Sequence, residues 1–276
     1  MGAVDPGRRL VRLTAAELAA VSALLGGASQ AQAAREAGLD VAELSRAGIV
    51  VEGSLHPAVA QVVAVVTAPQ LVLTLETWAE GAVVVHRAWA TAELAVVGRS
   101  VAEDVVEYTA TDLVSVPFFL AALVGLGRRP VAGPTGPFTV SSAALDAASS
   151  MVEEGDRRAA TERLVADGVP ADGADTLAEV LARRRLSWRA VSTWASPTGE
   201  VTSRGVTVID AGPAGLWRVD VTHAEPGAGT GPPDTLVLSA LAPSQAWEEL
   251  TALIPPTGLG PADGDAPSPS AGPGQA

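Results

Sequence analysis

The chain has 276 residues, 48% of them apolar, and its 31 acidic against 18 basic side chains leave a formal charge of −13. That composition fills a sizeable core and excludes an intrinsically disordered chain, while the negative charge repels phosphate backbones and disfavours nucleic-acid binding. Cysteine is absent, so disulfides, thiolate metal sites and cysteine nucleophiles are excluded.

Met1 to Arg12 contains no apolar run leading to a cleavage site, so no secretory signal is expected and the chain is read as cytoplasmic. Arg8 to Leu13 alternates apolar and charged residues, as a strand does. Thr14 and Glu17 then have capping-box spacing ahead of a helix with Leu18, Val21, Leu24 and Leu25 on one stripe. Short helices are expected over Gln30 to Ala37 and Asp40 to Ala47. Ser54 and Pro57 are placed to start a further helix that ends near Ala68, Ser54 as its cap.

Past Pro69 the period changes from helical to two. Leu71, Leu73, Leu75 and Thr77 alternate with polar or smaller residues, Glu80 and Gly81 make a turn, and Val83 to Ala90 returns as a second strand. Leu94 to Val97 and Val105 to Thr109 extend a meander, and Pro117 opens a helix to Leu126. Neither Pro57 to Leu75, divided by Pro69, nor Leu113 to Leu126, interrupted by Pro117, supplies the roughly 20 apolar residues a spanning helix needs, so no membrane association is expected.

The Gly/Pro-rich stretch Arg128 to Pro137 separates a second half that repeats the same order. It runs through a strand at Phe138 to Val140, a helix capped at Ser141 or Ser142, and helices over Arg157 to Ala166 and Asp172 to Arg184. Four strands follow (Ser187–Ala195, Glu200–Asp210, Gly215–Thr222, Asp234–Leu241), then a helix opened by Pro243 and stopped by Pro255 and Pro256. Thr14 to Ser141 gives an offset of 127, Pro117 to Pro243 one of 126, and Thr77-Trp78 to Thr193-Trp194 one of 116. The repeat predicts an α+β fold of two similar halves, about residues 8–127 and 138–256, related by a quasi-twofold axis and forming a single domain over 1–256. Residues 257–276, poor in large apolar side chains, are expected to be a disordered tail, and Ala224 to Pro233 a flexible insert.

No catalytic constellation emerges. The three histidines, His56, His86 and His223, lack metal-ligand spacing and read as surface or edge residues, so no metal is expected. There is no Gly-Xaa-Ser-Xaa-Gly elbow, Walker loop or dinucleotide fingerprint, and no cofactor or small-molecule ligand is expected. Glu153, Glu154 and Asp156, like Glu248 and Glu249, read as solvated helix surface, and Arg183, Arg184 and Arg185 as a helix end complementing its dipole. Six tryptophans stand out in a chain with one tyrosine and three phenylalanines. Trp78, Trp89, Trp188, Trp194 and Trp217 fall on predicted strands and Trp247 on the last helix. Most are expected in the core, with one or two flanking a partner groove.

Several segments in order resemble the EspG family, the secretion chaperones of type VII (ESX) systems. They are Leu10-Val11-Arg12-Leu13-Thr14-Ala15-Ala16-Glu17-Leu18, Arg46-Ala47-Gly48-Ile49-Val50, Trp188-Arg189-Ala190-Val191-Ser192-Thr193-Trp194, Gly205 to Asp210 with Gly215 to Val219, and Leu241-Ala242-Pro243-Ser244. The resemblance covers Arg8 to Pro256. It implies a central, mainly antiparallel sheet flanked by two helical bundles, and a cytosolic actinobacterial chaperone that holds helical-hairpin substrates of the PE/PPE type. The resemblance implies a partner surface of the loop between the second and third strands, here Ala79-Glu80-Gly81-Ala82, the sheet face and the C-terminal bundle; the apolar tip of the partner is expected to dock around Trp194, Trp217 and Trp247, with Arg204, at a meander turn, contributing less. The competing reading is a duplicated α+β binding module unrelated to secretion, such as an immunity or regulatory protein. An enzyme is least favoured.

Overall fold

Apolar residues recurring every second position, interrupted by short capped helices, build one sheet with helices on both faces. The computed structural model describes residues 2–79, 81–127, 130, 136–195, 199–222, 235–255 and 259. In its first half come β1 (Ala3–Asp5), β2 (Leu10–Thr14), α1 (Ala15–Leu25), α2 (Gln30–Glu36), α3 (Val41–Arg46), the small hairpin β3 (Val50–Val51) and β4 (Ser54–Leu55), and α4 (Pro57–Thr67). The meander β5 (Leu71–Ala79), β6 (Ala82–Ala90), β7 (Ala95–Ala102) and β8 (Val105–Thr111) follows, then α5 (Val116–Leu123). The second half holds β9 (Phe138–Ser141), α6 (Ser142–Glu153), α7 (Arg157–Ala166), α8 (Ala171–Ala182), β10 (Leu186–Ala195), β11 (Val201–Asp210), β12 (Leu216–Thr222), β13 (Thr235–Leu241) and α9 (Pro243–Thr251).

Eleven strands form one antiparallel sheet in the order β1-β2-β8-β7-β6-β5-β10-β11-β12-β13-β9. Outward from the central β5–β10 pair, each side runs through the rest of its own meander to the strand that precedes the first helix of its half, β2 or β9, with β1 added beyond β2 at the edge. Thr14 and Ser141 cap α1 and α6, accepting hydrogen bonds from Glu17 N and Ala144 N, and a proline sits in the first turn of both α5 and α9. The connectivity is thus repeated. The dipeptide match is not: Thr77 lies opposite Trp188 and Trp78 opposite Ser187, whereas Trp194 lies opposite Leu71. Directly opposed residues share a face, so Trp194 is on the face of Thr77 and Trp78 on the other, and a match that pairs Trp78 with Trp194 is out by one residue.

The register divides the core into three. One face, carrying Leu71, Leu73, Leu75, Trp188, Ala190, Val206 and Val208, is covered at its centre by α5 and α9 through Leu120, Ala246 and Leu250. On the opposite face α1 to α4 pack over Val11, Leu13, Val96 and Tyr108 at one end, and α6 to α8 pack over Val140, Ile209, Trp217 and Leu238 at the other. The two expected bundles therefore share one face, and α5 with α9 add a third layer on the other.

Three local expectations are corrected. Ser54 is part of β4, and α4 is capped by His56, whose Nδ1 accepts from Ala58 N at 3.2 Å. Leu259, within the expected disordered tail, is 9% exposed and packs with the α5/α9 cluster. The N-terminal strand β1 was not anticipated. It pairs with β2, and Gly2 N donates to the buried Glu17 carboxylate at 2.9 Å. A Cβ on Gly2 would lie 2.8 Å from that carboxylate, which is why glycine fits there. The remaining expected tail and the insert 224–233 lie outside the described residues.

Candidate partner-binding surface

Hairpin β5–β6 closes on the pair Ala79↔Ala82, leaving two residues for the turn, and Gly81 takes a φ of 76°, which a side chain would resist. So short a turn keeps the tip narrow and carries it past the sheet toward α6 and α8. Between them opens a cleft of about 750 Å³. Trp78, Ala79, Gly81 and Val83 form its hairpin wall, Val152, Leu181 and Ala182 its helical wall, and Glu153, Arg184, Arg185 and Ser187 lie at its polar margin.

Local carboxylates place the margin's cations. Arg184 donates to Glu153 at 2.6 Å, Arg185 donates to Asp210 at 2.7 Å, and Arg183 pairs with Glu179 one helical turn back. The arginine run follows the C-terminus of α8, as expected, and is also held by ion pairs to α6, α8 and β11. The cleft offers an apolar middle and a charged but largely compensated rim, the distribution found where protein partners dock.

Beyond the cleft the same sheet face stays uncovered between the two bundles. Val72, Thr74, Glu76 and Trp78 from β5 and Arg189, Val191 and Thr193 from β10 share this strip by register, and none is buried. Across the sheet, two arginines hold a carboxylate: Arg12 donates to Glu107 Oε2 through Nε at 2.9 Å and Nη2 at 2.8 Å, and Arg99 donates to Oε1 at 2.9 Å. Hydrogen bonds from Arg12, then from Arg99, outweigh burial and hold the Glu107 carboxyl below the ordinary glutamate range.

The residues anticipated from sequence fall into separate groups. Ala79 and Gly81 line the cleft, and Glu80 between them lies outside the described residues. Arg204 and Trp247 share a shallow hollow with Ile254 beside α9, and Arg204 sits within β11, away from any turn. Trp194 is half-buried against the α5/α9 core. Trp247 packs against the exposed Phe118 in a tilted arrangement, with ring centroids 4.7 Å apart. Trp217 is not at a surface at all: it is 1% exposed, stacks on Phe138 at 5.9 Å and donates from Nε1 to Ala214 O at 3.0 Å. Its strand position was legible, but its face depends on pairing register. Sequence reasoning missed Val152, Leu181 and Ala182, which join the cleft only through tertiary packing.

Among the described residues no group of three His, Asp or Glu side chains could hold a metal ion, and no helix is long and apolar enough to cross a membrane. A broad antiparallel sheet with a bundle at each end of one face, and an open cleft where a hairpin tip meets one bundle, defines a platform for a macromolecular partner.

The family model described as "EspG family" matches residues 18–231, and the chain belongs to the EspG family. Its fold is similar to that in the structure of the Mycobacterium tuberculosis type VII secretion system chaperone EspG5 in complex with PE25–PPE41 dimer. The TM-score is 0.53 at 13% identity, over 77% of this chain and 82% of that one. No curated protein matches the chain in sequence.

Proposed function

We propose that this chain is a cytosolic specificity chaperone of a type VII secretion system, which takes the apolar tip of a helical-hairpin substrate of the PE/PPE type and keeps it soluble before export. Family membership supports the class, and the EspG5 structure contains a PE25–PPE41 dimer. The observation that carries the reading is the cleft between the β5–β6 tip and the α6/α8 bundle, with its apolar walls Trp78, Val83, Val152 and Leu181. A helix end about 10–12 Å across covers such walls, and burying apolar surface at both partners drives the association. In this reading residues 1–256 act as one domain, with Ala79 and Gly81 as contacts and the uncovered β5/β10 strip beside them. Trp194, Arg204 and Trp247 lie too far round the sheet to join the same contact. Trp217 contributes only by holding the C-terminal bundle in place.

The test is co-expression with each helical-hairpin product of a type VII locus, followed by affinity purification and size-exclusion chromatography. Co-elution with a PE/PPE-type product is expected. A well-folded chain that retains none of them contradicts the assignment.

A further inference from the structure

The ladder between β6 and β7 ends early. Its pairs run from Ala90↔Ala95 to Arg87↔Gly98 and stop, whereas β5–β6 pairing continues to Ala79↔Ala82 and β7–β8 pairing to Ala102↔Val105. Residues 82–86 and 99–102 therefore diverge as two strand edges bounding a slot that is closed at Arg87 and Gly98. The hairpin fixes which groups face it. Ala79 and Ala82 close a two-residue turn and Ala90 O accepts from Gln70 N at 2.8 Å, so even-numbered residues of β6 point their backbone toward β5, while Val83 and Val85 point theirs into the slot. Among the described residues neither has a backbone partner on that side. Both are open to solvent, Val83 57% and Val85 40% exposed, and the facing residues Ser100, Val101 and Ala102 are exposed too.

Natural sheets blunt such edges with charge, proline or a covering element. Here the free edge reads Ala82-Val83-Val84-Val85, uncharged and β-branched, and no described element covers it. The charges cluster at the closed end instead. Arg87 and Arg99 flank it on opposite faces; Arg99 is already paired with Glu107, whereas the exposed side chain of Arg87 has no hydrogen-bond or ion-pair partner among the described residues. His86 stands beside Arg99 with a buried Nδ1 that has no partner.

We infer that the slot between β6 and β7 binds the free C-terminal tail of a partner protein by strand addition, with Val83 and Val85 supplying main-chain hydrogen bonds and Arg87 receiving the terminal carboxylate. A chain entering a slot that closes ahead of it must end there, which selects a terminus over an internal segment. The unpaired cation of Arg87 at the closed end selects a carboxylate over an amine. A second copy of this chain is disfavoured, because its own edge strand is fixed in a wide sheet and its charge of −13 is of the same sign. The site goes beyond the chaperone reading and does not depend on it: Val85 and Ser100 line the slot and not the cleft.

The probe is an acetylated peptide of alternating threonine and valine ending in a free carboxylate, compared with the same peptide amidated, each titrated into the full chain. Hydrogen exchange at the Val83 and Val85 amides should slow, and the amidated peptide should bind at least about tenfold more weakly, a difference of about 1.4 kcal/mol. Val85→Pro, which removes a slot-facing N–H and spares the β5 ladder, should abolish binding with the melting temperature retained. If Val85→Pro fails to fold, Ser100→Pro on the facing edge serves the same purpose. Equal affinity for acid and amide, unchanged exchange at both valines, or undiminished binding by a folded proline variant would each overturn the proposal, as would slowed exchange that depends on protein concentration, which identifies self-association. Retention of the helical-hairpin substrate by a folded Val85→Pro chain that has lost the peptide would separate slot from cleft.

Discussion

Replacing Trp217 distinguishes a core tryptophan from a contact tryptophan. The side chain is 1% exposed, stacks on Phe138 and donates to Ala214 O, so Trp217→Ala removes a large buried ring, empties a cavity beneath α6 to α8 and leaves a carbonyl without its donor. Truncations of this kind cost about 3–5 kcal/mol. In a chain of this length each kcal/mol moves the melting temperature by about 2–4 °C, so a fall of roughly 6–20 °C is expected. Trp247→Ala provides the control. That ring is half-buried and its main aromatic neighbour, Phe118, is 64% exposed, so the cost should stay below about 2 kcal/mol. Differential scanning calorimetry of the two variants beside the parent measures both shifts. A Trp217→Ala chain that melts within a degree or two of the parent yet loses its partner would refute the reasoning and return Trp217 to the binding surface.

Three further outcomes follow from the geometry. Glu107→Gln should lower stability at neutral pH by about 1–3 kcal/mol and flatten the acid limb of the stability curve. A carboxyl held below its ordinary range stabilises the fold above the unfolded pKa, near 4.5, and that contribution fades as pH falls through the lower folded value; urea titrations from pH 3 to 7 check the sign. His86, whose pKa is lowered first by burial and then by Arg99, works at higher pH: the unfolded state binds its proton more readily, so stability should decline as pH falls through about 6.5, and His86→Gln should remove that slope. Truncation after Leu259 should leave the unfolding midpoint unchanged. Truncation after Pro255 should lose about 1.5–3 kcal/mol with the buried leucine, measured by denaturant titration of both chains.

Much of the architecture is legible in the sequence because it rests on local rules. Thr14 and Glu17 specify the start of α1, Pro117 and Pro243 start α5 and α9, and the alternation from Leu71 to Thr77 marks β5 whatever else surrounds it. What lies beyond local rules was missed. Trp194 and Trp78 differ in face because the β5–β10 register differs by one residue from the dipeptide match, and only pairing fixes register. Ser54 looked like a helix cap, yet the β3–β4 hairpin claims it and His56 caps α4 instead. Leu259, alone among prolines and glycines, carried too little pattern to signal burial. The cleft is assembled from residues of β5, β6, α6 and α8 that are about 70 to 100 positions apart in the chain, and no periodicity links Val83 to Val152 or Leu181.

The cleft's role is tested most directly at its two walls. Ala79→Asp on the hairpin and Ala182→Asp on α8 place a charge at exposed positions on either side, where substitutions alter stability by no more than about 0.5 kcal/mol. Isothermal titration of each variant with a co-purifying PE/PPE-type dimer should show affinity reduced at least about tenfold by either change, with melting temperatures unaltered. Parent-like affinity in the doubly substituted chain would show that the substrate docks elsewhere and contradict the account.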